Sequence, residues 1–280
     1  MNKIVKTFLY MILTLCVCVS VLENSAFEAF AQNIGNDGEY GVFIGADSEQ
    51  LKKIDGYSMV VIDVWENSAE DVKLLHDKGC VVYSYINVGA IENWRNYYDE
   101  YKDLALGDYE NWEDEKWVNV ADESWQKCVV EKLAAGILEK GADGFFVDNA
   151  DVYYKYQNDD IYRGFVSIIK GLDASGKPVI INGGNDLVTR LIQENSAGII
   201  KGVNQESVFS RIKNYKKNKF AKQTKKERLF FQNYLIDCKN AGLDVYLIEY
   251  TKSKSLKRKI SKYCKKMGYK YYISASLSLD

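Results

Sequence analysis

The residues of this chain that could do chemistry fall at one kind of place, where a short apolar run stops. Runs at 59–62, 81–86, 144–147, 178–181, 199–204 and 245–248 give way, within two residues, to Asp63, Asn87, Asp148, Asn182, Glu206 and Glu249. Asp148 is the sharpest case. Phe145, Phe146 and Val147 follow a glycine and end on a carboxylate, the pattern of a parallel strand buried on both faces, and in α/β folds the carboxyl ends of such strands carry the site. Two carboxylates opposed across a pocket suit glycosidic bond hydrolysis. One attacks or activates water, and the other, kept protonated by its neighbour's charge, protonates the leaving oxygen. Sugars also need flat aromatic surface, and Trp65, Tyr85, Trp94, Tyr153 and Tyr154 stand at or just past the same strand ends.

Other chemistries narrow quickly. His76 is the one histidine, and it falls on the solvent-facing half of a helical pattern. Ser-His-Asp and Cys-His hydrolases and histidine-rich metal sites therefore have no basis. No phosphate-cradling glycine loop occurs. The carboxylates leave open a hard cation held by Asp63, Asp148 and Asp151, the arrangement of a metal-assisted carbohydrate esterase. A barrel that binds glycan through its aromatic mouth without cleaving it is a further reading, though a pure binder has no need of opposed carboxylates.

Strand and helix patterns alternate along the chain and place these residues. Strand patterns at 41–44, 59–63, 81–86, 144–148, 178–181, 199–204, 245–248 and 271–274 are separated by helical patterns such as 68–78, 123–140, 161–172, 186–194 and 225–241. Eight such units predict an α/β fold, a single (β/α)8 barrel of the TIM type, whose strand ends converge on one mouth. The count closes only if residues 117–120, within the aromatic and acidic stretch 90–122, stay outside the barrel. Residues 211–228, rich in lysine, are expected to form a solvated loop near the mouth.

Residues 1–31 combine Lys3 and Lys6, an apolar core at 8–22 and the small-residue site Ala29-Phe30-Ala31, which predicts a secretory signal peptide cleaved before Gln32. Neither Cys16 nor Cys18 follows the small residue expected before a lipid-modified cysteine, so release is expected, with no stable membrane insertion. The barrel domain is then 32–280, about 249 residues, a length typical of one (β/α)8 unit. A net charge of −2 points to no nucleic-acid partner. Cys80, Cys128, Cys238 and Cys264 fit no zinc spacing and leave disulfide pairing or buried thiols both open.

Taken in order, the residues resemble one family. Asp63 within Val-Ile-Asp-Val, the run Tyr83-Ser84-Tyr85-Ile86-Asn87-Val88-Gly89 leading to Glu92-Asn93-Trp94-Arg95, Trp117 with Val120, and Gly144 through Asp151 belong to its pattern. So do Asn182, Val203-Asn204-Gln205-Glu206, Ile248-Glu249-Tyr250 and the closing Leu279-Asp280. The chain is similar over its mature length to the endo-α-1,4-polygalactosaminidase family, glycoside hydrolase family 114. The resemblance implies a secreted, endo-acting barrel glycosidase cleaving α-1,4-linked galactosamine-rich polysaccharide, with Asp148 as nucleophile, Glu206 as general acid/base and therefore a retaining course. It further implies that Asp63, Asn149, Asp151, Asn182 and Glu249 line the site and that Tyr85, Asn87, Trp94 and Arg95 form its wall. No cofactor or metal is implied, the one partner is polysaccharide, and a monomer is expected. Two departures stand out. Ile91 replaces an expected aromatic, and the lysines of 211–228 oppose an acidic lip at 99–115, which leaves the charge of the substrate open.

Overall fold

Parallel strands form here where apolar residues run without alternation, because both faces of each strand are covered. The computed structural model describes residues 38–280 and contains eight such strands in one sheet. They are Gly41–Phe43 (β1), Met59–Ile62 (β2), Val81–Asn87 (β3), Gly144–Asp148 (β7), Val179–Asn182 (β8), Gly202–Glu206 (β9), Asp244–Tyr250 (β12) and Lys270–Ser274 (β13). Neighbours in chain order are neighbours in space and all pairings are parallel. β1 and β13 come together, so the sheet curls into a nearly closed TIM-type barrel with helices between its strands. The predicted signal peptide, 1–31, and its cleavage point before Gln32 lie outside the described residues.

The remaining five strands build the mouth. Ala90–Glu92 (β4), Ala105–Asp108 (β5) and Glu115–Val118 (β6) make an antiparallel sheet in the order β4-β6-β5, so Trp117 and Val118 do stand outside the barrel. Ser210–Asn214 (β10) and Lys219–Lys222 (β11) pair as a hairpin. The expected loop at 211–228 is thus folded. Ile212 faces Phe220 across the ladder, and this apolar alternation was masked in the sequence by the lysines on the other face. The sixth barrel strand also begins later than expected, at Gly202, because Ala197–Ile199 closes a 3₁₀ turn first.

Helices cover the outside as their capping and periodicity dictate. Ser68 accepts from the Asp71 N–H and Asp71 reaches back to the Ser68 N–H, starting the helix Ala69–Asp77. Asn158 caps Asp159–Asp173, which buries Ile161, Phe165, Ile168, Ile169 and Leu172 against the sheet. The predicted helix at 123–140 is present but widens to π geometry over Cys128–Ala134. None of Cys80, Cys128, Cys238 and Cys264 forms a disulfide, and all four are buried. No described helix is long and apolar enough to cross a membrane.

Candidate active site

Three adjacent strands, β7, β8 and β9, end on Asp148, Asn182 and Glu206. At each end the chain turns at once through the left-handed region: Asn149 has φ +62°, Gly183 +66° and Ser207 +59°. A turn this tight frees the last side chain of each strand to face the mouth. At Gly183 and Gly184 only glycine fits, since a Cβ would meet Asp151 Oδ2 at 2.5 Å and Ala150 Cβ at 2.4 Å.

The two carboxylates share a donor. Asn182 Nδ2 donates to Asp148 Oδ1 at 2.8 Å and to Glu206 Oε1 at 2.9 Å, so these two oxygens lie no farther apart than those two lengths laid end to end. Tyr250, the last residue of β12, donates its hydroxyl to Glu206 Oε2 at 2.8 Å. Burial pushes the Glu206 carboxyl up to about 7, the Asp148 charge pushes the same way, and the bonds from Asn182 and Tyr250 pull it back. Burial also raises Asp148, against the hydrogen bonds it accepts from Asn182, the Asn149 N–H and Tyr85. Burial disfavours the charged form of both carboxyls, and the Asp148 charge adds to this at Glu206, so the pair resists double ionisation.

These groups open into a cavity of about 750 Å³. Of the expected site residues, Asp63, Tyr85, Trp94, Arg95, Asp148, Asn149, Asp151, Asn182 and Glu206 line it. Asp151 is pushed up to about 6 by burial, then by the nearby acids Asp148 and Asp186, with the Gly184 N–H opposing. Arg95 is already committed, to Glu92 at 2.5 Å, Asp63 at 2.7 Å and Glu66 at 2.7 Å. Asp63 is therefore held by a guanidinium, and among the described residues no group of three His, Cys, Asp or Glu side chains is arranged to hold a metal ion.

Two expected residues stand behind the wall. Glu249 is fully buried and its carboxylate accepts from the N–H groups of Phe209 and Ser210, at 2.7 and 2.8 Å, and from the Ser210 hydroxyl at 2.5 Å. It does not line the cavity. Nor does Asn87, whose Oδ1 accepts from the Ala90 N–H and Asn149 Nδ2, and whose Nδ2 donates to Glu115 at 3.2 Å. Trp65, Tyr153 and Tyr154 also lie off the cavity, and Ile91, where an aromatic was expected, is fully buried. His76 is at the surface, 2.9 Å from Asp143.

Glu115, counted in the sequence only as part of the acidic lip, is a further residue of the site. It lines the cavity from β6, and burial followed by the charges of Glu92 and Asp148 pushes it up to about 8. Its one signal was parity, since residues 115 and 117 share a strand face and Trp117 is buried. Tyr109, Trp112, Ile212, Tyr215 and Tyr250 also line the cavity. The two lips meet above it: Trp112 packs edge-on against Tyr215, centroids 6.0 Å apart, and Lys216 pairs with Glu113 at 2.8 Å. The conflict of charge between the lips resolves at this point. Among the described residues the wall carries eight carboxylates, those of Asp47, Asp63, Glu66, Glu92, Glu115, Asp148, Asp151 and Glu206, against the Arg95 guanidinium and no lysine.

Comparison with known proteins agrees with this architecture. The glycoside hydrolase domain of PelA from Pseudomonas aeruginosa superposes with a TM-score of 0.70 at 18% identity, covering 86% of this chain and 95% of that one. Ega3 from Aspergillus fumigatus, solved in complex with galactosamine, gives 0.67 at 18% identity over 88% and 93%. The α-galactosidase TtGalA from Thermus thermophilus gives 0.56 at 11% identity, covering 84% of this chain and 57% of that one. Comparison with curated protein sequences gives no match. The model of glycoside hydrolase family GH114 matches residues 36–279. The chain is a glycosidase and belongs to glycoside hydrolase family 114.

Proposed function

We propose that this glycosidase cleaves α-1,4-linked, galactosamine-containing polysaccharide internally and with retention of configuration, outside the cell that makes it. The observation that carries the reading is the shared Asn182 amide, which keeps the nearest oxygens of Asp148 and Glu206 within the combined length of two hydrogen bonds. Retaining glycosidases hold their carboxyl groups about 5–5.5 Å apart, and inverting ones about 6.5–9.5 Å to admit a water. Asp148 attacks the anomeric carbon as Glu206 gives its proton to the departing glycosidic oxygen. Water, deprotonated by Glu206, then attacks the same carbon and releases Asp148.

The acidic wall supports an amino sugar. A galactosamine unit with a free amine is cationic and a hydrogen-bond donor, and the cavity wall offers it carboxyl acceptors and no lysine. Trp94, 53% exposed, and Trp112, 42% exposed, offer stacking faces on the cavity wall, which supports an extended polymer over a single sugar. Export rests on the leader at 1–31.

Product analysis with galactosamine polymers of graded acetylation tests the reading. Short oligosaccharides of mixed length, released fastest from the least acetylated polymer, are expected. Release of monosaccharide alone overturns endo-action, and cleavage restricted to fully acetylated polymer overturns the charge argument.

A further inference from the structure

The amide of Asn182 can serve both carboxylates only if its oxygen points away from them, and that oxygen is itself deep in the protein. It accepts from Asn204 Nδ2 at 2.6 Å, and Asn204 Oδ1 in turn accepts from the Tyr40 hydroxyl at 3.2 Å. Asn204 and Tyr40 are fully buried and neither lines the cavity. The strand register makes the contacts, with Asn182 beside Asn204 across β8 and β9, and Asn204 beside Tyr246 across β9 and β12. Tyr40 packs on the Tyr246 ring, centroids 5.0 Å apart.

We propose that Asn204 and Tyr40 are positioning residues that lock the Asn182 amide with its nitrogen on the Asp148–Glu206 pair. This rests on the assignment of that pair as the catalytic carboxylates. Every donor in the chain Tyr40, Asn204, Asn182 points the same way, toward the carboxylates, and hydrogen bonds in series polarise one another. A flipped Asn182 would aim a carbonyl oxygen at two acids and leave both without their shared donor. The Asn204 N–H holds the oxygen side of the amide while the two carboxyl groups hold its nitrogen side, and without Asn204 an amide turned in either sense fits its own space equally well. Burial together with the neighbouring charges of Tyr246 and Glu206 holds the Tyr40 hydroxyl well above its ordinary range, so it remains a donor throughout.

The lock has a pH signature. The titratable groups facing the pair are Tyr85 from β3, Glu115 from β6, Asp151 after β7 and Tyr250 from β12. Tyr109 and Tyr215 face it from the lips. None of these is a hydrogen-bond partner of the Asn182 side chain. Removing the lock withdraws a donor from both carboxylates at once, which disfavours their charged forms and raises both midpoints together.

Asn204→Leu and Tyr40→Phe in the full chain test this. Asn204→Leu is expected to lower kcat about tenfold with KM within about twofold, and to move both limbs of the pH profile upward by about half a unit or more. Tyr40→Phe keeps the ring and its packing, so it is expected to fold normally and to shift the limbs the same way by less. Carboxyl-carbon NMR titration of the substrate-free proteins, assigned with Asp148→Asn and Glu206→Gln, reads the same midpoints without any substrate. If the wild type cleaves no galactosamine polymer but the midpoints rise in the variants, the lock stands and the substrate reading falls. Midpoints unmoved in Tyr40→Phe and in every folded form of Asn204→Leu overturn the proposal, whatever happens to kcat.

Discussion

Glu249 and Ser210 are joined twice, the Ser210 N–H and hydroxyl both donating to one carboxylate oxygen at 2.8 and 2.5 Å, while the Ser210 Oγ accepts from the Tyr250 N–H at 3.0 Å. This staples the end of β12 to the start of the hairpin β10–β11, which carries Ile212 and Tyr215 to the cavity. Glu249 thus serves the site by holding one of its walls. Glu249→Gln keeps the volume but turns its amide nitrogen toward a backbone donor, since one carboxylate oxygen accepts from the Phe209 N–H and the other from the Ser210 N–H, so it is expected to cost about 1–3 kcal/mol. Thermal melts should show the loss, and steady-state kinetics below the transition should show KM rising more than kcat falls. A melt identical to wild type would mean that the hairpin is held without Glu249.

Asp148 and Glu206, the proposed catalytic pair, should fail differently. Glu206→Ala is expected to form the glycosyl-enzyme readily from substrates with good leaving groups but to lose several orders of magnitude on polymer, since only a poor leaving group needs a proton, and to release the intermediate slowly because water lacks its base. Azide should restore turnover and give a glycosyl azide of retained configuration. Asp148→Ala should lose activity on every substrate, and any azide product should be inverted. NMR of the azide products decides; retention in the Asp148 variant reverses the two roles.

The resemblance places Arg95 in the wall of the site, and there it is the counter-charge of Asp63, Glu92 and Glu66. Its side chain is 5% exposed. Arg95→Ala leaves Asp63 and Glu92 buried without their cation, which is expected to destabilise by about 3–5 kcal/mol. Arg95→Lys should recover little of this, because an ammonium cannot reproduce a three-way planar fork. Denaturant unfolding of both variants checks the ordering. A Lys variant as stable as wild type would show that charge alone suffices.

Stability should fall as pH rises from about 4 to 8. Glu206 and Glu249 are raised to about 7, Asp151 to about 6 and Glu115 to about 8, in each case chiefly by burial. Unfolded, these groups titrate near 4. Between the two values the native state binds more protons, so the stabilisation is complete below about pH 4 and lost as pH climbs through the folded values. The melting temperature at pH 5 should exceed that at pH 8, and Glu115→Gln should flatten the slope. Melts at constant ionic strength test this, and a flat profile in the wild type would show that water reaches these carboxylates.

The barrel and its central trio were legible in the sequence because their signals are local. A run such as Gly144–Val147 is apolar without alternation only if both faces are covered, and it must stop where the mouth begins, so Asp148, Asn182 and Glu206 announce themselves. Parity was harder to read. Tyr246 lies beside Asn204 and Ile248 beside Glu206, so Tyr250 continues the inward row while Glu249 turns to the other face. A strand end places alternate residues on opposite sides, and an acidic side chain does not reveal which. Glu115 reaches the cavity only because β6 pairs antiparallel with β4 and folds back over Asn87. The lysine-rich hairpin likewise turns Ile212 and Tyr215 inward and its charges away. Such pairings are made between residues distant in sequence, and their energy comes from contacts that exist only once the chain has closed. Composition and spacing determined the barrel and set Asp148, Asn182 and Glu206 at its strand ends; tertiary pairing alone decided which acids share their cavity and which stand behind it.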